Sequence, residues 1–195
     1  MRTVVFDVGG VLVDWDPRHL YRKVFDSDEE MEGFLAEVCT WEWHHRHDAG
    51  VPFAESIPAL TAAFPEHADL IAMWETRYGE MIPGEIPGTA DVVRDLHAAD
   101  HRLLVLSNMP SEVWTPLIER FDWFSLFDGW VVSGHEKIVK PDPAIYRILI
   151  ERFDVDPAAS VFIDDRQENV DAAAALGFEA VLFTDAESLR RSLGV

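Results

Sequence analysis

Three places in this sequence set polar or ionisable side chains directly after short apolar runs, and a fourth sets them a few residues beyond one. Asp7 follows Thr3-Val4-Val5-Phe6 and precedes the glycine pair Gly9-Gly10, and Ser107-Asn108 follows Leu103-Leu104-Val105-Leu106. Lys140-Pro141 stands beyond Trp130-Val131-Val132, and Asp164-Asp165 follows Val161-Phe162-Ile163. A carboxylate is a poor nucleophile in water, but one fixed in line with an electrophilic centre can attack it and form a covalent intermediate. Two adjacent aspartates are costly unless a cation binds them or water solvates both. Each position alone also has a plain structural reading: Asp7 as a turn former or helix cap, Lys140 as a solvated loop lysine, Ser107-Asn108 as a polar turn. Their joint recurrence after strands is what points to chemistry.

The chain's overall charge narrows that chemistry. Lys and Arg number 16 against 36 Asp and Glu, a formal net charge of -20, which repels nucleic acid and anionic membrane surfaces. A small anionic substrate remains compatible, provided the site supplies a metal ion or a specific lysine or arginine. No stretch approaches the roughly 20 apolar residues of a membrane span. The N-terminal run is too short for a secretory segment and is interrupted by Asp7. With Cys39 the sole cysteine, no intrachain disulfide can form, and the expected compartment is the cytoplasm.

The elements that must position these residues follow from periodicity. The four runs above, with Ala180-Val181-Leu182-Phe183, read as buried strands. From the second onward they alternate with helical patterns such as Val92, Val93, Leu96 and Ala99, or Ile145, Ile148, Leu149 and Phe153, as in a parallel sheet wrapped by helices. Asp142 can cap the second of these, with Pro143 in its first turn. The first strand breaks the rhythm, since about 95 residues separate it from the next, far beyond an ordinary βα connection. That interval reads as helical: Ser27-x-x-Glu30 is a capping-box pattern, and Ala68 to Tyr78 is amphipathic. Ile82-Pro83-Gly84-Glu85-Ile86-Pro87-Gly88 reads as the return linker, with entry near Asp14 to Pro17. The expected fold is α/β, a doubly wound parallel sheet over residues 1–16 and 87–195, with an inserted α-helical cap domain over 17–86.

With the motifs in this order the chain resembles the haloacid dehalogenase superfamily, specifically its phosphatase-like members with a small helical cap after the first strand. The carriers are Val5-Phe6-Asp7-Val8-Gly9-Gly10-Val11-Leu12, Leu106-Ser107-Asn108, Ile138-Val139-Lys140-Pro141-Asp142-Pro143 and Phe162-Ile163-Asp164-Asp165. The resemblance implies a Rossmann-like core and a hydrolase in which Asp7 attacks a phosphate ester. It implies Mg²⁺ held by Asp7, the backbone carbonyl of Gly9 and Asp165, with Asp164 and Asn169 supporting that shell. Ser107 and the Asn108 backbone would donate to phosphate oxygens, and Lys140 would supply positive charge. The implied partner is a small phosphorylated substrate, with the oligomeric state open between monomer and homodimer.

The departure from the family pattern is Gly9. Phosphatases of this superfamily usually carry a second aspartate there, which protonates the leaving alcohol and later activates water. Three readings follow: a phosphatase whose proton comes from elsewhere, for instance Asp14 or Asp16; a 2-haloacid dehalogenase whose Asp7 attacks carbon; or a silent phosphometabolite-binding module. A sugar 1-phosphate suits the first, because its leaving group is less basic than an ordinary alcohol. The acidic pair Asp164-Asp165 disfavours the second, because the family's dehalogenases need no metal.

In the inserted segment, His44, His45 and His47 cluster without a cysteine or carboxylate at a standard zinc spacing, so packing or substrate contact is the expected role. Trp41, Trp43 and His44, at an expected helix end, together with Arg46 and Asp48, are candidates to line a substrate pocket.

Overall fold

The computed structural model describes residues 2–195. Five strands, β1 (Thr3–Phe6), β2 (Arg102–Ser107), β3 (Gly129–Val132), β4 (Ser160–Asp164) and β5 (Glu179–Leu182), form one sheet in the order β3-β2-β1-β4-β5. Every neighbouring pair is parallel, and each apolar run of the sequence falls on its strand to within one residue at either end. The winding reverses between β1 and β4, the kind of switch point where open α/β sheets bind their ligands.

Successive strand residues face opposite sides, so β1 needs cover on both. Val4 and Phe6 join Leu103, Val105, Val161 and Ile163 in one apolar cluster, whereas Val5 joins Leu104, Leu106, Val131 and Phe162 in a second. Six helices lie between β1 and β2: α1 (Arg18–Tyr21), α2 (Asp28–Glu37), α3 (Trp41–Asp48), α4 (Phe53–Ala63), α5 (Ala68–Thr76) and α6 (Thr89–Ala98). The later ones are α7 (Ser111–Arg120), α8 (Ser133–Glu136), α9 (Pro143–Phe153), α10 (Gln167–Ala175) and α11 (Ala186–Leu193). Val92, Val93 and Leu96 of α6 seal the first face; Ile145, Tyr146 and Leu149 of α9 with Ala173 of α10 seal the second.

Local signals set the helix ends. The Ser27 hydroxyl accepts from Glu30 N at 3.2 Å, and the Asp142 carboxylate accepts from Ala144 N at 2.8 Å, each relieving an orphan donor of a first turn. The two connections into and out of the inserted helices run against each other. Asp14 N donates to Gly84 O at 3.0 Å, Asp16 N to Met81 O at 2.9 Å and Ile86 N to Leu12 O at 2.9 Å. The paired connections fix where Trp15 stands.

One sequence expectation is corrected here. Trp41, Trp43 and His44 begin a helix instead of ending one: α2 stops at Glu37, and the Thr40 hydroxyl accepts from Trp43 N at 3.1 Å to start α3. Starting the helix there puts Trp41, His44 and Asp48 on one face and Trp43 and His47 on another, by the 3.6-residue repeat.

Candidate active site

Asp7 extends the sheet ladder by one step, its N–H donating to Ile163 O at 2.9 Å, so it stands beside Asp164 across the switch point. Lys140 reaches this pair from the loop between α8 and α9. Its Nζ lies 2.9 Å from Asp7 Oδ1 and donates to Asp164 Oδ2 at 2.6 Å, and the ammonium is fully buried. Asn108 holds that loop in place with two bonds: its Nδ2 donates to Lys140 O at 3.0 Å, and its Oδ1 accepts from Lys140 N at 2.8 Å. The other oxygen of Asp164 accepts from Arg166 N and Asn169 Nδ2, both at 2.9 Å. Asp164 thus anchors the lysine, while Asp165 projects toward solvent.

Burial and neighbouring charges oppose each other here. The Asp7 carboxyl is pushed up to about 7, chiefly by burial and further by Asp164 and Asp165, against the pull of Lys140. Burial lowers the Lys140 ammonium, but the two carboxylates it touches more than reverse this and leave it above its ordinary value. Asp165 is raised by burial and by Asp164. Three carboxylates around one ammonium leave excess negative charge, a setting that favours a bound cation.

Asp7 opens into a cavity of about 270 Å³ that Gly9, Asn108, Lys140 and Asp165 also line. The facing wall comes from Trp15, Tyr78 and the Trp41, His44, Asp48 face of α3. Arg166, beside Asp165, lays its guanidinium over Trp41, 5.7 Å from the ring centre. Three expected contacts fall elsewhere. Trp43 is buried against His47 and Trp74, and Arg46 points outward, because both lie off the face of α3 that meets the cavity. Ser107 lies wholly buried at the end of β2 outside the cavity lining, its Oγ without a partner. Asp14 and Asp16 also turn away: Asp14 lies 2.9 Å from His19, and Asp16 accepts from Arg18 N at 2.8 Å. Sequence reading missed Trp15, Tyr78 and Arg166. Arg166 follows the acidic pair directly and could have been inferred, whereas Trp15 and Tyr78 depend on how the helices dock.

The family model for haloacid dehalogenase-like hydrolases matches residues 1–177. The chain belongs to this family. It is 29% identical to a phosphorylated carbohydrates phosphatase of Thermotoga maritima over 93% of this chain and 84% of that one. It is 26% identical to a sesquiterpene phosphatase of Aspergillus oryzae over 94% and 90%. In fold it is similar to a haloacid dehalogenase family enzyme of Bacteroides thetaiotaomicron solved as a magnesium complex, with TM-score 0.76, 18% identity and coverage of 99% and 98%.

For a haloacid dehalogenase-like hydrolase the metal question reduces to donor chemistry. Asp7, Asp164 and Asp165 offer carboxylate oxygens within 4.8 Å of one another, the one such cluster of acidic, His or Cys groups among the described residues. An all-oxygen set of this kind fits a hard divalent cation. Gly10 makes the approach of Asp165 feasible. It adopts φ +74, and a Cβ placed there would lie 2.4 Å from Asp165 Oδ2. Gly9 is different, because a Cβ there meets only Trp15 Cβ, at 3.9 Å. The missing side chain at position 9 is therefore not dictated by packing.

Proposed function

We propose that this hydrolase is a Mg²⁺-dependent phosphomonoester hydrolase with Asp7 as nucleophile, residues 17–86 forming a cap over the core of 1–16 and 87–195. The observation that carries it is the Asp7 carboxylate at the switch point, bonded to buried Lys140 and grouped with Asp164 and Asp165. Asp7, Asp165 and the Gly9 carbonyl would hold Mg²⁺, with Asp164 behind them. When bound, the cation would offset the repulsion between the carboxylate and the phosphate. Lys140 holds Asp7 in one orientation and adds a fixed positive charge. The Asn108 backbone, which lines the cavity, is the donor for phosphate oxygens. The covalent product of attack is an aspartyl-phosphate on Asp7, which water then hydrolyses.

A phosphorylated carbohydrate is the favoured substrate class. The flat faces of Trp15 and Trp41 suit the apolar faces of a sugar ring, and the Thermotoga relative is named for such substrates. The test is phosphate release from a panel of sugar phosphates and p-nitrophenyl phosphate, with and without Mg²⁺, beside halide release from 2-chloropropionate. Metal-dependent phosphate release that Asp7→Asn abolishes is expected. Metal-independent halide release would instead make the protein a dehalogenase, and absence of both products would sink the enzyme reading.

A further inference from the structure

An aspartate at position 9 would have moved two protons per turnover, and something in this cavity must take its place. The candidates can be counted from the lining. Asp7 and Asp165 are committed to the nucleophile and the cation, and Lys140 is tied by two ion pairs. Arg166 does not release a proton near neutral pH. Tyr78 is buried, which raises its pKa well above the ordinary value. Two groups are left, His44 and Asp48, and they lie together on α3.

The pair has the build of a proton-transfer unit. Asp48 Oδ2 lies 3.7 Å from His44 Nε2, and both side chains are 5% exposed. His44 Nδ1 and Asp48 Oδ1 have no hydrogen-bond partner in the protein. Trp15 Nε1 on the same wall is likewise unpartnered. Buried polar atoms are ordinarily paired, so three orphans on one cavity wall point to a ligand. Trp15 lies parallel to the His44 ring, with 4.6 Å between centroids, and the same Trp15 is what a Cβ on Gly9 would touch. The vacant volume at position 9 and the imidazole therefore border the same residue, one at the Trp15 Cβ and the other at its indole.

We propose that His44, oriented by Asp48, carries the proton to the leaving group and then takes it from the attacking water, in place of a carboxylate at position 9. The proposal rests on the phosphatase reading above. In the first step Asp7 forms its bond to phosphorus, the ester P–O bond breaks, and the leaving oxygen takes the proton of the His44 imidazolium, giving the free alcohol. In the second, water attacks the aspartyl-phosphate and gives one proton to His44. The bond between phosphorus and Asp7 then breaks, releasing inorganic phosphate and restoring both carboxylate and imidazolium. Burial holds the His44 pKa below its ordinary value, with Asp48 offsetting part of this and His45 adding to it. An anionic substrate beside the ring favours the charged form that the first step needs. His44 is a catalytic residue in this scheme, and Asp48 a positioning one.

The experiment compares substrates whose leaving groups differ in basicity, using the full chain with Mg²⁺. The wild type hydrolyses both p-nitrophenyl phosphate and glycerol phosphate. His44→Gln loses on the order of 100-fold or more on glycerol phosphate, in line with the size of general acid catalysis. With p-nitrophenyl phosphate, whose leaving group needs no proton, it gives a nitrophenolate burst equal to the enzyme concentration and then slow turnover. Adding Gly9→Asp to His44→Gln restores turnover on glycerol phosphate. Asp48→Asn shows the same discrimination between the substrates, more weakly, and stands in should His44→Gln fail to fold. Equal losses on both substrates, with no burst, would mean that His44 only packs or binds, and the proposal falls while the phosphatase reading stands. A wild type that releases no phosphate would remove both.

Discussion

Trp15 and His44 stack with their ring planes 19° from parallel, joining the connection after β1 to helix α3 across the cavity mouth. Trp41 meets Trp15 nearly edge-on at 6.0 Å, and Tyr78 lies behind at 6.5 Å. Trp15 is only partly buried, so Trp15→Ala should cost roughly 2 kcal/mol, less than truncation of a fully buried tryptophan. It should also raise KM for sugar phosphates more than for p-nitrophenyl phosphate, since the sugar loses its platform. Urea unfolding and steady-state kinetics on both substrates check the two parts separately. Trp15→Phe should recover most of each.

Lys140 is the only ammonium in contact with Asp7 and Asp164 among the described residues. Lys140→Met would leave two buried carboxylates facing each other. Breaking a buried pair of this kind costs about 3–5 kcal/mol, and the lost charge should reduce phosphate release by a factor on the order of 10² to 10³. Thermal unfolding of the variant should respond to added Mg²⁺ more strongly than that of the wild type, because a cation binding the folded form restores part of the missing charge. Equal Mg²⁺ responses in the two proteins would contradict the placement of the cation beside Lys140.

The strands and the gathering of polar residues at their ends were legible because both follow from local rules. Apolar β-branched runs bury on both faces of a parallel sheet, and polar residues just beyond them must gather at its carboxyl edge. Asp7, Asn108 and Asp165 line the cavity for that reason, and Lys140 joins them from the loop between α8 and α9, held by Asn108. The opposite wall was read less well. Whether Trp41 or Trp43 lines the cavity depends on where α3 starts and which side it docks. One cap residue, Thr40, decides the first, and packing against Trp74 decides the second. Composition and spacing carry no record of either. The close fit of Gly10 against Asp165 is equally invisible in sequence, since it arises between segments far apart in the chain.

His47 predicts how stability depends on pH. Its ring is wholly buried among Trp43 and Phe53 and bonded to the Ser56 hydroxyl. Burial, then the neighbouring His44, holds its pKa down to about 4, against an ordinary 6.5. The folded state thus binds fewer protons than the unfolded state between those values. Stability is fully present above pH 6.5, falls as pH drops toward 4, and levels off below it for this group. The slope from one proton approaches about 1.4 kcal/mol per pH unit. His47→Gln should remove that part of the slope in urea melts taken between pH 4 and 7, while leaving stability above pH 7.5 lower by a smaller, pH-independent amount. An unchanged slope would show that His47 is already solvated in the native state.

The two adjacent glycines should behave oppositely on substitution by alanine. Gly10 adopts φ +74, and its Cβ would stand 2.4 Å from a carboxylate oxygen of Asp165. Gly10→Ala must therefore accept left-handed strain and push Asp165 aside. Strain of this kind costs about 1–3 kcal/mol, and displacing Asp165 should weaken Mg²⁺ binding at least tenfold by calorimetry. Gly9→Ala meets only Trp15 Cβ at 3.9 Å, an ordinary van der Waals contact. Its stability should change by less than about 1 kcal/mol, with Mg²⁺ affinity unchanged. Comparable losses in the two variants would mean that the loop after β1 is constrained as a unit, and that position 9 is glycine for conformational reasons instead of being free to carry a side chain.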